Sequence, residues 1–183
     1  IFTAFDPQIS ERIKGSEDVY YIEHQFRAGE LAEAYEPFLD IIKELFERYA
    51  TQSLDDFMEE CGVYKLHRAL IKSYLEEHEV KRSEQLLLGE VDYERRKLTE
   101  ALQQMLIGLS KIHPFLLVLN RAQLASRSAI VFINQLLDAE DTQNIGIVLG
   151  VNELQRMPEY MMPVWEQMME NLEDKNHIFQ IGN

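Results

Sequence analysis

The chain has 183 residues, 46% of them hydrophobic, which predicts a single domain, 1–183, with a real core. Its 18 basic and 32 acidic side chains leave a formal net charge of −14, a surface that repels nucleic acid and anionic membrane and suits solubility or a basic protein partner; the chain is expected to meet a protein partner or to self-associate. A single cysteine, Cys61, excludes an internal disulfide and fits a reducing, cytoplasmic setting, and no apolar run reaches membrane length.

In chain order, residues 1–5 predict a short strand or packed arm and 8–14 a helix, with Ile9 and Ile13 on one face. Gly15 and Ser16 form a turn. Val19, Tyr20, Tyr21 and Ile22 are β-branched or aromatic and open a strand over 19–26. Pro37 suits a first helical turn, and Phe38, Ile41, Ile42, Leu45, Phe46 and Tyr49 make an apolar stripe behind it. Ser53, with Asp56 three residues on, caps a short helix over 55–60 that Gly62 ends. Val63, Leu66, Leu70 and Tyr74 predict a helix over 63–77, followed by a polar stretch, 78–89. Residues 90–111 form the longest helix, with Leu98, Ala101, Leu102, Met105, Leu106 and Leu109 inward, and Pro114 stops it.

Residues 115–119 are a continuous apolar run, the pattern of a strand buried on both faces. Ser126 can cap a helix carrying Ala129, Ile130, Ile133, Leu136 and Leu137 at helical spacing. Residues 145–149 read as a second buried strand. Strand, helix and strand at this spacing form a parallel unit, whose ligand chemistry belongs at the carboxyl ends of the strands. Those ends carry Asn120, Arg121 and Asn152. Residues 159–173 are helical, with Met161, Trp165, Met168, Met169 and Leu172 inward and Met157, Met162 and Pro163 outward. Residues 177–181 are a final strand.

Taken together, these residues resemble the second nucleotide-binding motif of the STAND signalling ATPases, a branch of the AAA+ group. In that family a hydrophobic strand ends in two acids. A turn often containing Gln, Trp, Ala and Asp follows, and then a helix. The chain keeps the strand, Gln123, Ala125 and the helix. Asn120 and Arg121 stand at the acids' places, Leu124 at that of the Trp and Ser126 at that of the Asp. The next strand leads to Gly150-Val151-Asn152-Glu153, where the family often has an Arg-Asp-Glu-like stretch. Tyr35-Glu36-Pro37-Phe38 matches the family's Tyr-x-Pro-Phe helix opening.

The resemblance implies an α/β fold: a helix-rich, three-layer parallel sheet of the P-loop NTPase type. A helical insert, about residues 53–111, separates its second and third strands. It also implies a place in a multidomain signalling or transcription-regulatory protein. Asn120, Arg121 and Asn152 then occupy degenerate cofactor positions. A carboxylate there would hold Mg²⁺, whereas Asn120 brings no charge and Arg121 brings the opposite one. No Gly-x-x-x-x-Gly-Lys-Ser/Thr loop occurs in the chain. The reading is a non-catalytic scaffold or oligomerisation domain. The rival is an active ATPase, using ATP and Mg²⁺, whose phosphate loop lies upstream of Ile1. A third reading is an unrelated helix-rich interaction module.

Other groupings carry less. His24, His67, His78, His113 and His177 lie far apart and form no metal-binding pattern, so no metal is expected. Glu59-Glu60, Glu76-Glu77 and the acids of 138–141 read as solvated faces, as does the basic run Arg95-Arg96-Lys97. Glu59 and Glu60 beside Cys61 raise its pKa and leave the thiol unreactive. No nucleophile–base pattern supports a hydrolase, so no catalytic residue is assigned.

Overall fold

The computed structural model describes residues 19–27, 35–77, 88–139, 144–151 and 157–174. Three strands, β1 (Tyr20–Gln25), β2 (Phe115–Asn120) and β3 (Ile145–Leu149), form a parallel sheet in that order. Between β1 and β2 come α1 (Glu36–Tyr49), α2 (Leu54–Glu60), α3 (Lys65–Glu77) and α4 (Leu88–Ile112). Helix α5 (Arg127–Asp138) joins β2 to β3, and α6 (Met162–Asp174) follows β3. The molecule is therefore helix-rich around a small parallel sheet, and the helical segment falls between the expected strands. The expectations for residues 1–5, 8–14 and 177–181 lie outside the described residues, as does most of 78–89.

Side chains alternate across a strand. Ile22, Phe26, Phe115, Leu117 and Leu119 point to one face, where they join Phe38, Ile42, Leu102, Met105, Ile130, Ile133 and Met168 in one buried cluster. Burying each such side chain is worth about 1.5–3 kcal/mol. All six described helices contribute to this cluster, so the described residues supply two layers. Leu116, Val118 and Val148, on the opposite face, are not part of it. The expected third layer, on that opposite face, is not seen among the described residues.

The helices start where their chemistry directs. Pro37 sits in the first turn of α1, and the side chains of Ser53 and Ser126 accept from the backbone N–H groups of Asp56 and Ala129, both at 3.2 Å. Tyr20 anchors the sheet to α1 by stacking on Tyr49 at 3.6 Å. The Tyr49 hydroxyl accepts from the Tyr21 N–H at 3.2 Å.

Two stripes depart from expectation. Helix α3 starts at Lys65, so Val63 lies outside it, Ile71 is its buried residue and Leu66 is 73% exposed. The spacing of 63, 66, 70 and 74 runs through a turn that breaks the helical phase. Strand β3, expected to be buried, has all five of its residues only half-buried. Its apolar sequence fits the sheet, but among the described residues it is paired on one side alone. Met157, expected outside, packs half-buried against the core, whereas Met162 and Pro163 are exposed.

Gly108 marks the closest approach between α4 and the end of α2. A Cβ there would lie 1.7 Å from the Cys61 carbonyl oxygen. The Cys61 thiol itself is buried and its pKa is pushed up to about 12, first by burial and then by Glu60. The direction agrees with the sequence-based expectation, but burial outweighs the neighbouring charge as its cause. Thiolate is therefore scarce in the folded protein near neutral pH, and Cys61 is expected to resist a thiol-specific reagent until the chain unfolds. The folded state keeps the proton where the unfolded state, whose thiol titrates at its ordinary value of 9.0, releases it. This contribution to stability is full below that value and is lost as pH rises toward about 12. Labelling rates with and without urea, and denaturation midpoints across that window, check both statements; rapid labelling of folded protein near neutral pH contradicts them.

Candidate functional site

Asn120 is the last residue of β2, and register places it beside Gln25 of β1. Its carbonyl accepts from the Phe26 N–H at 3.0 Å. The chain then turns sharply at Arg121, which holds φ 55° and ψ 43°. This left-handed conformation costs a residue other than glycine roughly 1–2 kcal/mol. The Ala122 N–H donates to the Gly150 carbonyl and the Gly150 N–H to the Leu119 carbonyl, both at 2.9 Å. These bonds fasten the turn after β2 to the end of β3. Arg121 is exposed, whereas Ala122, Gln123 and Ala125 are buried in the turn. Ser126 caps α5, the task an Asp performs equally well.

The Asn120 side chain has a defined orientation. Its Nδ2 donates to Glu23 Oε1 at 2.8 Å, and the Tyr21 hydroxyl donates to Glu23 Oε2 at 3.1 Å. Its Oδ1 leans over Gly150, where a Cβ would come within 2.6 Å of it. Neutral donors thus meet both oxygens of the Glu23 carboxylate. An acid at position 120 would face Glu23 at this distance, and like charges so close repel each other unless a cation lies between them. An amide at 120 removes that demand.

Of the three sequence-predicted positions, Asn120 and Arg121 are therefore adjacent at the carboxyl edge of the sheet. Asn152 lies outside the described residues. Sequence reasoning missed Glu23 as the partner of Asn120, because the two are 97 positions apart and only the β1–β2 register joins them. Among the described residues no three His, Cys, Asp or Glu side chains gather as a metal site, and no described helix is long and apolar enough to cross a membrane.

A second concavity lies between α4 and α5, a groove of about 640 Å³. Arg96, Thr99, Glu100 and Gln103 line one wall, a spacing that puts them on one face of α4. Arg127, Ser128, Val131, Phe132 and Gln135 come from α5, and Tyr35 joins the lining. The Thr99 hydroxyl donates to the Tyr35 hydroxyl at 3.0 Å, and the Phe132 ring packs on Phe38 with centroids 4.2 Å apart. Tyr35 and Phe38 of the helix-opening motif thus each contact a residue that lines this groove. The sequence shows Arg96 only as part of a basic run.

The acid clusters read as solvated faces are partly cross-braced. Glu59 pairs with Arg68, and Asp55 lies 3.4 Å from Lys72, tying α2 to α3 at the surface. Such exposed pairs are worth about 0–1 kcal/mol each.

No protein-family model, curated protein or solved structure matches the chain.

Proposed function

We propose that this chain is a catalytically silent, nucleotide-binding-like domain of the STAND type. It acts as a scaffold or oligomerisation unit in a signalling or regulatory protein. The observation that carries the reading is the end of β2. A neutral amide, committed to Glu23, and an exposed guanidinium stand there, where a hydrolase of this kind needs carboxylates for its divalent ion. The parallel neighbours β1, β2 and β3, the buried Gln123 and Ala125 and the capped helix behind them support the comparison of scaffolds.

The test is a titration of the full-length protein with ATP in the presence and absence of Mg²⁺, read by calorimetry and by phosphate release. The expected result is no Mg²⁺-dependent turnover and no gain in nucleotide affinity on adding the metal. Stoichiometric ATP binding with Mg²⁺-dependent hydrolysis would sink the proposal and favour the active-ATPase reading.

A further inference from the structure

Resting on the scaffold reading, which calls for a protein partner, we propose that the exposed face of α6 docks a basic amphipathic helix of that partner. The face continues into the preceding turn, Glu159–Met161. Its residues line neither the α4/α5 groove nor the turn after Asn120.

Helix α6 has two unlike sides. Met161, just before it, and Met168 are fully buried, and Val164, Trp165 and Leu172 pack half-buried against the core. Asn171 Nδ2 donates to Asn134 Oδ1 at 3.2 Å and ties the helix to α5. The other side faces solvent and is apolar at its start. Tyr160 is 70% exposed and Met162 40%, and Pro163 is exposed beside them. Single apolar side chains at a surface need no explanation, but adjacent ones rimmed by charge mark an interaction site. The rim here is Glu159, Glu166 and Glu170, all exposed. Helical spacing puts Glu166 and Glu170 on the face of Met162 and Pro163.

Charge selects the partner. No Lys, Arg or His occurs between Met157 and Asp174. Glu166 and Glu170 stand one turn apart, where like charges repel along a helix. Their helix also ends without a basic residue in its last turn, which leaves the negative end of its dipole uncompensated. A cationic partner relieves both. A second copy of this chain brings a formal net charge of −14 and relieves neither, so the occupant is another protein.

A helix meets the remaining requirements. The backbone of α6 is paired within the helix and offers no edge to which an extended segment could hydrogen-bond. A docked chain must therefore satisfy its own backbone. Lysines or arginines at i and i+4 on the partner match the roughly 6 Å between Glu166 and Glu170 along the axis, at about 1.5 Å per residue. An apolar side chain one turn away reaches Met162 and Pro163, and the flexible Met162 adapts to its shape. The exposed Tyr160 ring offers its face to a further cation.

Trp165 is the single tryptophan of the chain and sits half-buried on the same helix, so its fluorescence reports docking of a ligand that has none. The ligand is an end-blocked Lys/Leu/Ala peptide of about 14 residues, close to the length of α6, with leucines on one helical stripe and lysines at i, i+4 spacing. The full chain should bind it at least about tenfold tighter than the version with Glu in place of Lys, since like charges oppose docking. It should also bind it at least about fivefold tighter than a scrambled peptide of the same composition, which lacks the apolar stripe. Glu166→Gln with Glu170→Gln should weaken binding about tenfold, and Tyr160→Ala about fivefold. All three positions are exposed, so these variants should keep the urea midpoint of the parent. Asp40→Asn with Glu47→Gln removes the same charge from exposed positions of α1 and should change the affinity less than about twofold. Four results overturn the proposal: equal binding of the Glu peptide or the scrambled one, no binding at millimolar peptide, full affinity in the α6 variants, or as large a loss from the α1 pair, which would mean unspecific attraction to an acidic chain. A dimer of the chain alone that Tyr160→Ala dissociates also overturns it and gives the face to a second copy. No readout involves nucleotide, so a failure here and a failure in the ATP titration are told apart.

Discussion

Gly108→Ala is expected to destabilise the protein by about 3–4 kcal/mol, above the usual range of about 1–3 for overpacking. The sign is the reverse of the ordinary one, because alanine in an open helix interior is favoured over glycine by about 1 kcal/mol. The added methyl would sit 1.7 Å from the Cys61 carbonyl oxygen and 2.7 Å from its carbon. That carbonyl cannot yield cheaply. The Cys61 N–H donates to the Phe57 carbonyl at 3.1 Å and the Val63 N–H to the Met58 carbonyl at 2.9 Å. Between them Gly62 already turns at φ 74°. Relief therefore requires α4 to move off α2, opening the cluster around Met58, Leu106 and Leu109. A loss of this size is a large part of a typical total of about 5–15 kcal/mol. Urea denaturation followed by circular dichroism measures it, and a variant as stable as the parent would show that the two helices do not pack this closely.

Phe132→Ala is expected to cost about 3–5 kcal/mol. The ring is 1% exposed, packs on Phe38 and forms the groove floor. Its removal leaves a cavity bounded by α1, α4 and α5, and rigid helices close such a void only in part. Phe132→Leu should recover much of the stability but little of the shape. Denaturation midpoints of the two variants measure the difference. A loss below about 1 kcal/mol for the alanine variant would mean that the ring does not fill this space.

Where one element dictates its own environment, the sequence is readable. The stripe from Leu98 to Leu109 is buried at every named position. The serine caps at 53 and 126 hold their helices, and the apolar runs at 115 and 145 pair in parallel from Phe115 and Ile145 onward. What fails depends on neighbours distant in sequence. The burial of β3 depends on what lies along its outer edge, which five apolar letters do not encode. The α3 stripe is misplaced because Val63, though buried, belongs to the preceding turn. For the candidate site, Asn120 and Arg121 are visible as a strand end, but the Glu23 carboxylate that orients Asn120 comes from another strand. The α4/α5 groove is not legible, because each of its arginines looks alone like an ordinary solvated helix residue.

The 97 positions between Glu23 and Asn120 also bear on synthesis. β1 leaves the ribosome before the four described helices that separate it from the strand it must lie beside. Closing so long a stretch of chain costs little at equilibrium, about 0.6 kcal/mol per doubling of length, yet contacts of high sequence separation form slowly. Until β2 arrives, Tyr21 and Ile22 on the nascent polypeptide must wait without their final partner, while β2, α5 and β3 follow one another closely enough to assemble as one local unit.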